Sequence, residues 1–147
     1  MKQKYRKGVG IFLINKRNQL WVGKRFDYKN EYWQMPQGGI DGLESPENAM
    51  KRELMEETGL VASRLFTVDK VNTFYDAKRD TMNLIPVFGA IVESDNVKLS
   101  KEHTDFKWCS VDEAKRLITW DQQKKGVQIF YDMITNDDNR LKLMEIK

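Results

Sequence analysis

The stretch GGIDGLESPENAMKRELMEETGL, residues 38–60, decides the fold. It carries six acids (Asp41, Glu44, Glu47, Glu53, Glu56, Glu57) against two bases, Lys51 and Arg52, for a local charge of −4 in a chain of net charge +3. Everything outside it therefore sums to +7. Carboxylates so concentrated on a basic chain call for a cation, and basic surroundings suit an anionic ligand. Ser45 followed by Pro46 is a helix start, with a hydroxyl to cap free N–H groups and a proline at the first helical position. Gly59 is a stop signal. Between them the spacing predicts a helix from Pro46 to Thr58 that buries Ala49, Met50 and Leu54. Glu53, Glu56 and Glu57 stand at i, i+3 and i+4, so their carboxylates leave one face and repel unless a metal sits between them. Arg52, four residues before Glu56, is placed to orient it.

Upstream, Tyr5 to Ile14 (YRKGVGIFLI) reads as a mostly buried strand and Gln19 to Arg25 as an alternating one, with a turn at Asn15 to Asn18 between them. Phe26 to Glu31 reads as a charged, aromatic loop, and Tyr32 to Pro36 as a short strand feeding the glycine turn Gln37-Gly38-Gly39. Paired glycines there let backbone approach a ligand or metal, and equally suit an ordinary turn. Downstream, Val61 to Asp76 and Thr81 to Glu93 read as strands joined by the charged turn Ala77 to Asp80. Phe106 to Ser110 reads as a short strand, and Ser110 with Glu113 as a capping box for the next helix. Gln122 to Ile134 reads as an amphipathic helix. Residues 1–136 form one domain in this reading. The charged tail 137–147 is partly disordered unless Leu141, Leu143 and Met144 dock. Strands, a central helix, more strands and then helices imply an α+β fold, an α/β/α sandwich around a mixed sheet.

At 147 residues and 40% hydrophobic composition the chain suits one domain with a real core. Its one cysteine, Cys109, excludes an internal disulfide and reads as a buried apolar thiol in a reducing compartment. The apolar run after the basic start is too short for a signal-peptide core, and no run is long enough for a membrane span. A cytoplasmic protein without a membrane partner is expected, as a monomer or homodimer. The pI near 8.9 permits nucleic-acid contact, but no basic run or RNA-binding signature accompanies it.

Three glutamates behind a glycine turn suit Mg2+, or Mn2+ in its place, rather than zinc. The ligands are hard oxygens, and the single histidine (His103) and single cysteine are far away in sequence. Magnesium held by carboxylates shares its coordination with waters and substrate phosphates, so phosphorus–oxygen cleavage is the natural reaction. A nearby glutamate would take the proton of the attacking water. No Ser/His/Asp or Cys/His set offers a covalent nucleophile.

Gly38, Glu44, Arg52-Glu53-Leu54, Glu56-Glu57 and Gly59-Leu60 match the Nudix box, G-x5-E-x7-R-E-U-x-E-E-x-G-U with U apolar, at all nine fixed positions. The order of elements also resembles the Nudix fold. The resemblance implies a metal-dependent pyrophosphohydrolase of nucleoside diphosphates linked to another moiety. In it Glu53, Glu56 and Glu57 are metal ligands, one of them or a further glutamate is the base, and Glu44 is auxiliary. Arg52 orients the cluster, and the Gly38 region supplies a backbone carbonyl to the metal. Many Nudix enzymes add a carboxylate from outside the box, and Glu102 in the loop before a strand resembles that site better than Glu93.

Trp33-Gln34-Met35-Pro36-Gln37-Gly38-Gly39, Tyr5-Arg6 and Tyr75 resemble the branch that hydrolyses dinucleoside polyphosphates or the 5′ triphosphate end of RNA. His103 to Trp108 with Thr119-Trp120 is more similar to nucleoside triphosphate-type members, so an ADP-ribose or nucleoside triphosphate pyrophosphohydrolase is the alternative. A non-catalytic nucleotide-binding module is remote from a box with every carboxylate present. On physical grounds Arg6, Lys24 and Arg25 are candidates to meet phosphates, and Trp33, Phe26 and Tyr75 to stack a base; each aromatic equally suits simple packing.

Overall fold

Lys4–Ile14 forms the central strand, β1. Its second half is buried on both faces, which is why it reads as a continuous apolar run. The computed structural model describes residues 3–27 and 30–147. At the end of β1 the Asn15 side-chain oxygen accepts from the backbone N–H groups of Arg17 (3.0 Å) and Gln19 (2.9 Å), closing the turn into β2 (Leu20–Asp27). β3 (Asn30–Gln34) pairs with β2 as a hairpin. The expected loop over Phe26 to Glu31 is therefore largely strand, because Phe26 pairs with Glu31 and Asp27 with Asn30. The side chain of Phe26, a stacking candidate, lies outside the described residues.

The glycine turn is likewise a strand, β4 (Gln37–Gly39), held antiparallel to β1 with Gly38 opposite Val9. The helix α1 (Pro46–Thr58) has the predicted bounds. Ser45 Oγ accepts from Asn48 N–H at 3.1 Å, and Gly59 adopts φ 71°, where its N–H reaches Met55 O at 2.9 Å. β5 (Ala62–Asp76) and β6 (Thr81–Val92) form a long antiparallel hairpin, and β6 runs parallel to β1. The sheet is mixed for that reason. β7 (His103–Cys109) pairs with β2 and starts three residues before the predicted strand, because His103 pairs with Arg25 across a bulge. Then follow α2 (Val111–Leu117), α3 (Asp121–Thr135), α4 (Arg140–Met144) and β8 (Glu145–Ile146). Ser110 caps α2 by accepting from Glu113 N–H at 3.2 Å.

The segment expected as a charged tail is folded in part: β8 pairs with β5, Leu141 is buried and Leu143 is exposed. Arg64 on β5 donates twice to the Glu145 carboxylate, at 2.9 Å each, at this junction.

Two cores lie on opposite faces of the sheet. Val9, Ile11, Leu13 and Trp21 meet Ala49, Met50 and Leu54 of α1 on one. Phe12, Ile14, Leu20 and Phe66 meet Val127, Phe130 and Met133 of α3 on the other. Odd and even residues of β1 thus serve different layers, as strand alternation requires, giving the α/β/α sandwich. Burial of one such large apolar side chain contributes about 1.5–3 kcal/mol, so these layers rather than helix propensity hold α1 in place. Among the described residues no helix is long and apolar enough to cross a membrane.

Candidate active site

Arg52 is the hub of the acidic helix. Its Nε and Nη2 donate to the two oxygens of Glu44, each at 2.9 Å. Nη1 donates to Glu53 at 2.9 Å and to Glu56 at 3.3 Å, and Nη2 also reaches Gly39 O at 2.9 Å. A planar guanidinium with five donors is the side chain that can serve so many acceptors at once. The Arg52 guanidinium, helped by the Asp41 N–H, holds the Glu44 carboxyl below the usual carboxylate range. Glu44 also closes the loop ahead of the helix, its N–H donating to Asp41 O at 2.9 Å.

The three helix glutamates are not equivalent. Glu56 is the most exposed, while Glu53 and Glu57 are buried. Desolvation pushes the Glu53 carboxyl upward against the pull of Arg52. Glu57 is pushed up to about 9, first by burial and then by the neighbouring charges of Glu53 and Glu102. Neither oxygen of Glu57 has a hydrogen-bond partner among the described residues. Glu102 stands immediately before β7, which places it beside Glu57 and Glu53, and Arg25 Nη1 lies 4.0 Å from its carboxylate. Glu93, the weaker candidate, is drawn off to Lys16 at 2.6 Å. A Cβ on Gly38 would collide with the Glu53 carboxylate, so β4 passes Glu53 as closely as only glycine permits.

These residues fit a hard divalent cation. The donors are carboxylates with one nearby backbone strand, and Glu57 is a buried acceptor pair with nothing to accept. Among the described residues no three potential ligands are already gathered at ligating distance; Arg52 instead holds Glu53 and Glu56 from the flank.

Beside this cluster a cleft of about 890 Å³ opens between the β5–β6 hairpin, β3 and the start of α3, with Gly38 on its wall. That size accommodates a nucleotide. Arg6 and Arg25 line it, as do Lys78 and Arg79 from the hairpin turn, which sequence reading assigned only to a charged turn. Lys24 and Trp33 do not line it. In the β2–β3 ladder Arg25 is opposite Tyr32 and Lys24 opposite Trp33, so strand alternation turns the first pair to the cleft and the second pair away. Lys24 is ion-paired to Glu31 at 2.7 Å and lies 6.0 Å from the Trp33 ring. Tyr75 borders the cleft, but its register with Met82 and Tyr5 turns it toward the other face of the hairpin, and its hydroxyl donates to Asp80 at 2.6 Å. Phe74, Tyr32 and Trp120 are the aromatics that sequence reading left out. Phe74 shares the strand face of Arg6 and Asn83, a relation set by the register of three strands and carried by no local sequence signal.

An acidic helix set on a mixed sheet, with a cationic cleft beside it, is the arrangement of a Nudix domain. The NUDIX domain family matches residues 4–129, and the chain belongs to that family. An RNA pyrophosphohydrolase from Wolbachia sp. subsp. Brugia malayi is 44% identical over 81 residues, 55% of this chain and 50% of that protein. Another, from Rickettsia bellii, is 33% identical over 129 residues, covering 78% of this chain and 80% of the relative. A C. elegans Ap4A hydrolase in a binary complex has the same fold, with TM-score 0.75 at 21% identity over 89% of this chain and 98% of that one. The matches span about half the length of several of these curated relatives.

Proposed function

We propose that the chain is a divalent-metal-dependent pyrophosphohydrolase that cleaves a phosphoanhydride bond of a nucleoside polyphosphate, with the 5′ triphosphate end of RNA or a dinucleoside polyphosphate as substrate. The observation that carries this reading is the juxtaposition of the Glu53, Glu57 and Glu102 carboxylates with a cleft bearing Arg6, Arg25, Lys78 and Arg79. Carboxylates alone repel a polyphosphate, and cations alone merely bind it. The names of the sequence relatives point to the same substrate class.

Glu53, Glu56, Glu57 and Glu102, with a carbonyl of the Gly38 strand, are the groups to hold Mg2+ or Mn2+. A metal held there would neutralise charge at the phosphates and polarise the attacking water. Arg25 and Arg6 hold phosphate oxygens at the cluster's edge, and Lys78 and Arg79 take the charge further along the chain of phosphates. Arg52 fixes the angle at which Glu53 and Glu56 face the cleft, and Glu44 fixes Arg52. A carboxylate of this group, left unliganded, accepts the proton of the water. Cys109 takes no part: it is buried at the end of β7 beside β2, with its Sγ donating to Leu20 O at 3.5 Å, as a free thiol suited to the cytoplasm.

The test is a panel of polyphosphates with magnesium, read by product identity. Pyrophosphate release from 5′-triphosphorylated RNA, or ATP plus AMP from diadenosine tetraphosphate, is the expected result. AMP plus ribose 5-phosphate as the preferred products would move the substrate to ADP-ribose. Absence of turnover across the whole panel would overturn the reading.

A further inference from the structure

Several side-chain amides line the cleft, and three of them bond to the backbone of the fold. Gln122 clamps the backbone of Thr73 from both sides, its Oε1 accepting from Thr73 N–H at 3.1 Å and its Nε2 donating to Thr73 O at 2.9 Å. Gln123 Oε1 accepts from Met35 N–H at 3.1 Å, and Asn83 Nδ2 donates to Thr81 O at 3.3 Å. Asn72 differs. It is 4% exposed, lines the cleft, and its Oδ1 is fully buried without a partner among the described residues. Native proteins satisfy nearly all such groups, so an orphan acceptor in a cleft wall is a group held for a ligand.

Its position is fixed from both sides. The neighbouring Thr73 is the residue that Gln122 clamps, and Asn72 itself pairs with Ile85 across the hairpin. Two residues along β5, on the same face, Phe74 stands partly exposed. Across the cleft Trp120 is half exposed and meets Tyr32 edge-on, with ring centroids 6.1 Å apart. Phe74, Tyr32 and Trp120 thus line the same cleft as the unpartnered amide oxygen of Asn72.

We infer that Asn72 is a base-reading residue: its Oδ1 accepts from an N–H on the edge of the substrate's nucleobase while Phe74 and Trp120 contact the ring faces. The inference rests on the proposed polyphosphate activity and adds to it a base preference. All four bases carry an amino or imino hydrogen but at different places on the ring edge, so an acceptor fixed in position ranks them by where that hydrogen falls, and a site built to hydrogen-bond such a group rejects an analogue that lacks it there. The phosphate-binding cations do not make this distinction.

The experiment measures binding of the four nucleoside triphosphates and of base-free ribose 5-triphosphate, by calorimetry in EDTA, to the full chain and to Asn72→Leu. Magnesium-dependent turnover is assayed separately. The intact chain is expected to bind its preferred nucleotide roughly tenfold or more tightly than ribose 5-triphosphate and to rank the bases. In Asn72→Leu the ranking collapses while ribose 5-triphosphate binding is unchanged. Its melting temperature is unchanged or higher, because the substitution removes a buried acceptor that has no partner. Equal binding of all four bases and of the base-free ligand by the intact chain overturns the inference without any variant. So does a folded Asn72→Leu chain that keeps the ranking, or a folded one that loses ribose 5-triphosphate along with the nucleotides. Should that chain not fold, Asn72→Ser, which keeps a short hydroxyl, is held to the same ranking test. Base ranking without turnover of any polyphosphate would instead overturn the hydrolytic reading and leave Asn72 in place.

Discussion

Arg52 grips Glu44 in a two-point fork, Nε to Oε2 and Nη2 to Oε1, each at 2.9 Å. The same guanidinium reaches Glu53, Glu56 and the carbonyl of Gly39. One side chain thus ties together the loop before the helix, the helix itself and the strand beneath it. Arg52→Lys keeps the charge but cannot reproduce the fork. We expect turnover to fall by roughly tenfold to a hundredfold, with the circular dichroism of the fold retained. Unchanged kcat in the lysine variant would show that the fork does not orient the carboxylates.

Glu57→Gln separates stability from function. Glu57 is buried with both oxygens unpartnered and beside two other acids, so an amide in its place removes the cost of holding an acid protonated in the metal-free fold. The metal-free variant is expected to melt several degrees higher than the parent chain. It should also lose both turnover and the rise in melting temperature that magnesium produces. A thermal-shift titration with magnesium and EDTA reads all of this, and a full magnesium response in the variant would count against Glu57 as a ligand.

Gly38→Ala and Gly39→Ala make a matched pair. The new methyl group collides with the Glu53 carboxylate in the first, whereas in the second its nearest neighbour is Arg6 Nη2 at 3.5 Å, an ordinary contact. Only Gly38→Ala should displace Glu53 and cost activity, by about tenfold or more if the site shifts by a fraction of an ångström. Steady-state kinetics on both variants checks the contrast.

Arg25 and Lys24 are adjacent in sequence and opposite in prospect. Arg25 faces the cleft and Glu102; Lys24 faces Glu31 and Trp33. Arg25→Ala should raise KM and lower kcat, together on the order of tenfold, while Lys24→Ala leaves both within about twofold. Equal losses in the two variants would mean that alternation does not decide which cation meets phosphate.

Cys109 gives a pH dependence remote from the site. Burial pushes its thiol up to about 11, above the value of 9.0 for the free group. A group whose folded pKa is raised contributes stability that is complete below the unfolded value and is lost as pH rises through the folded one. Melting temperature should therefore fall above pH 9, and Cys109→Ala should flatten that fall. The native thiol should also react with a disulfide reagent at pH 8 far more slowly than the unfolded one.

Helix α1 was legible to the residue because three independent signals coincide there: the Ser45-Pro46 start, the Gly59 stop and the apolar set Ala49, Met50 and Leu54. The placing of Glu53, Glu56 and Glu57 along one helix followed from their spacing, whereas Glu102 was picked out by resemblance. The cleft was less legible, since its residues come from strands whose register no local pattern fixes. Lys24 and Trp33 were plausible by type, and only their pairing across the β2–β3 hairpin shows them turned away. Gln37-Gly38-Gly39 looked like a turn because glycine is rare in strands, whereas here the close approach of the Glu53 carboxylate to Gly38 demands it. Asn72 gave no signal of its own: an asparagine in a strand shows its worth only when its oxygen is found without a partner.

The parallel pairing of β1 with β6 has a consequence for how the chain comes to be folded. Parallel neighbours need a crossover, and this one contains β2, β3, β4, α1 and β5. Closing so long a loop is slow and entropically costly, and the acidic helix has its full floor only once β6 has docked. Glu102 arrives later still, with β7. A nascent chain stopped before Val92 would display the carboxylates of α1 over an unfinished sheet, with no cleft to receive a phosphate. The charged helix thus has its complete surroundings only once the late strands β6 and β7 have been made.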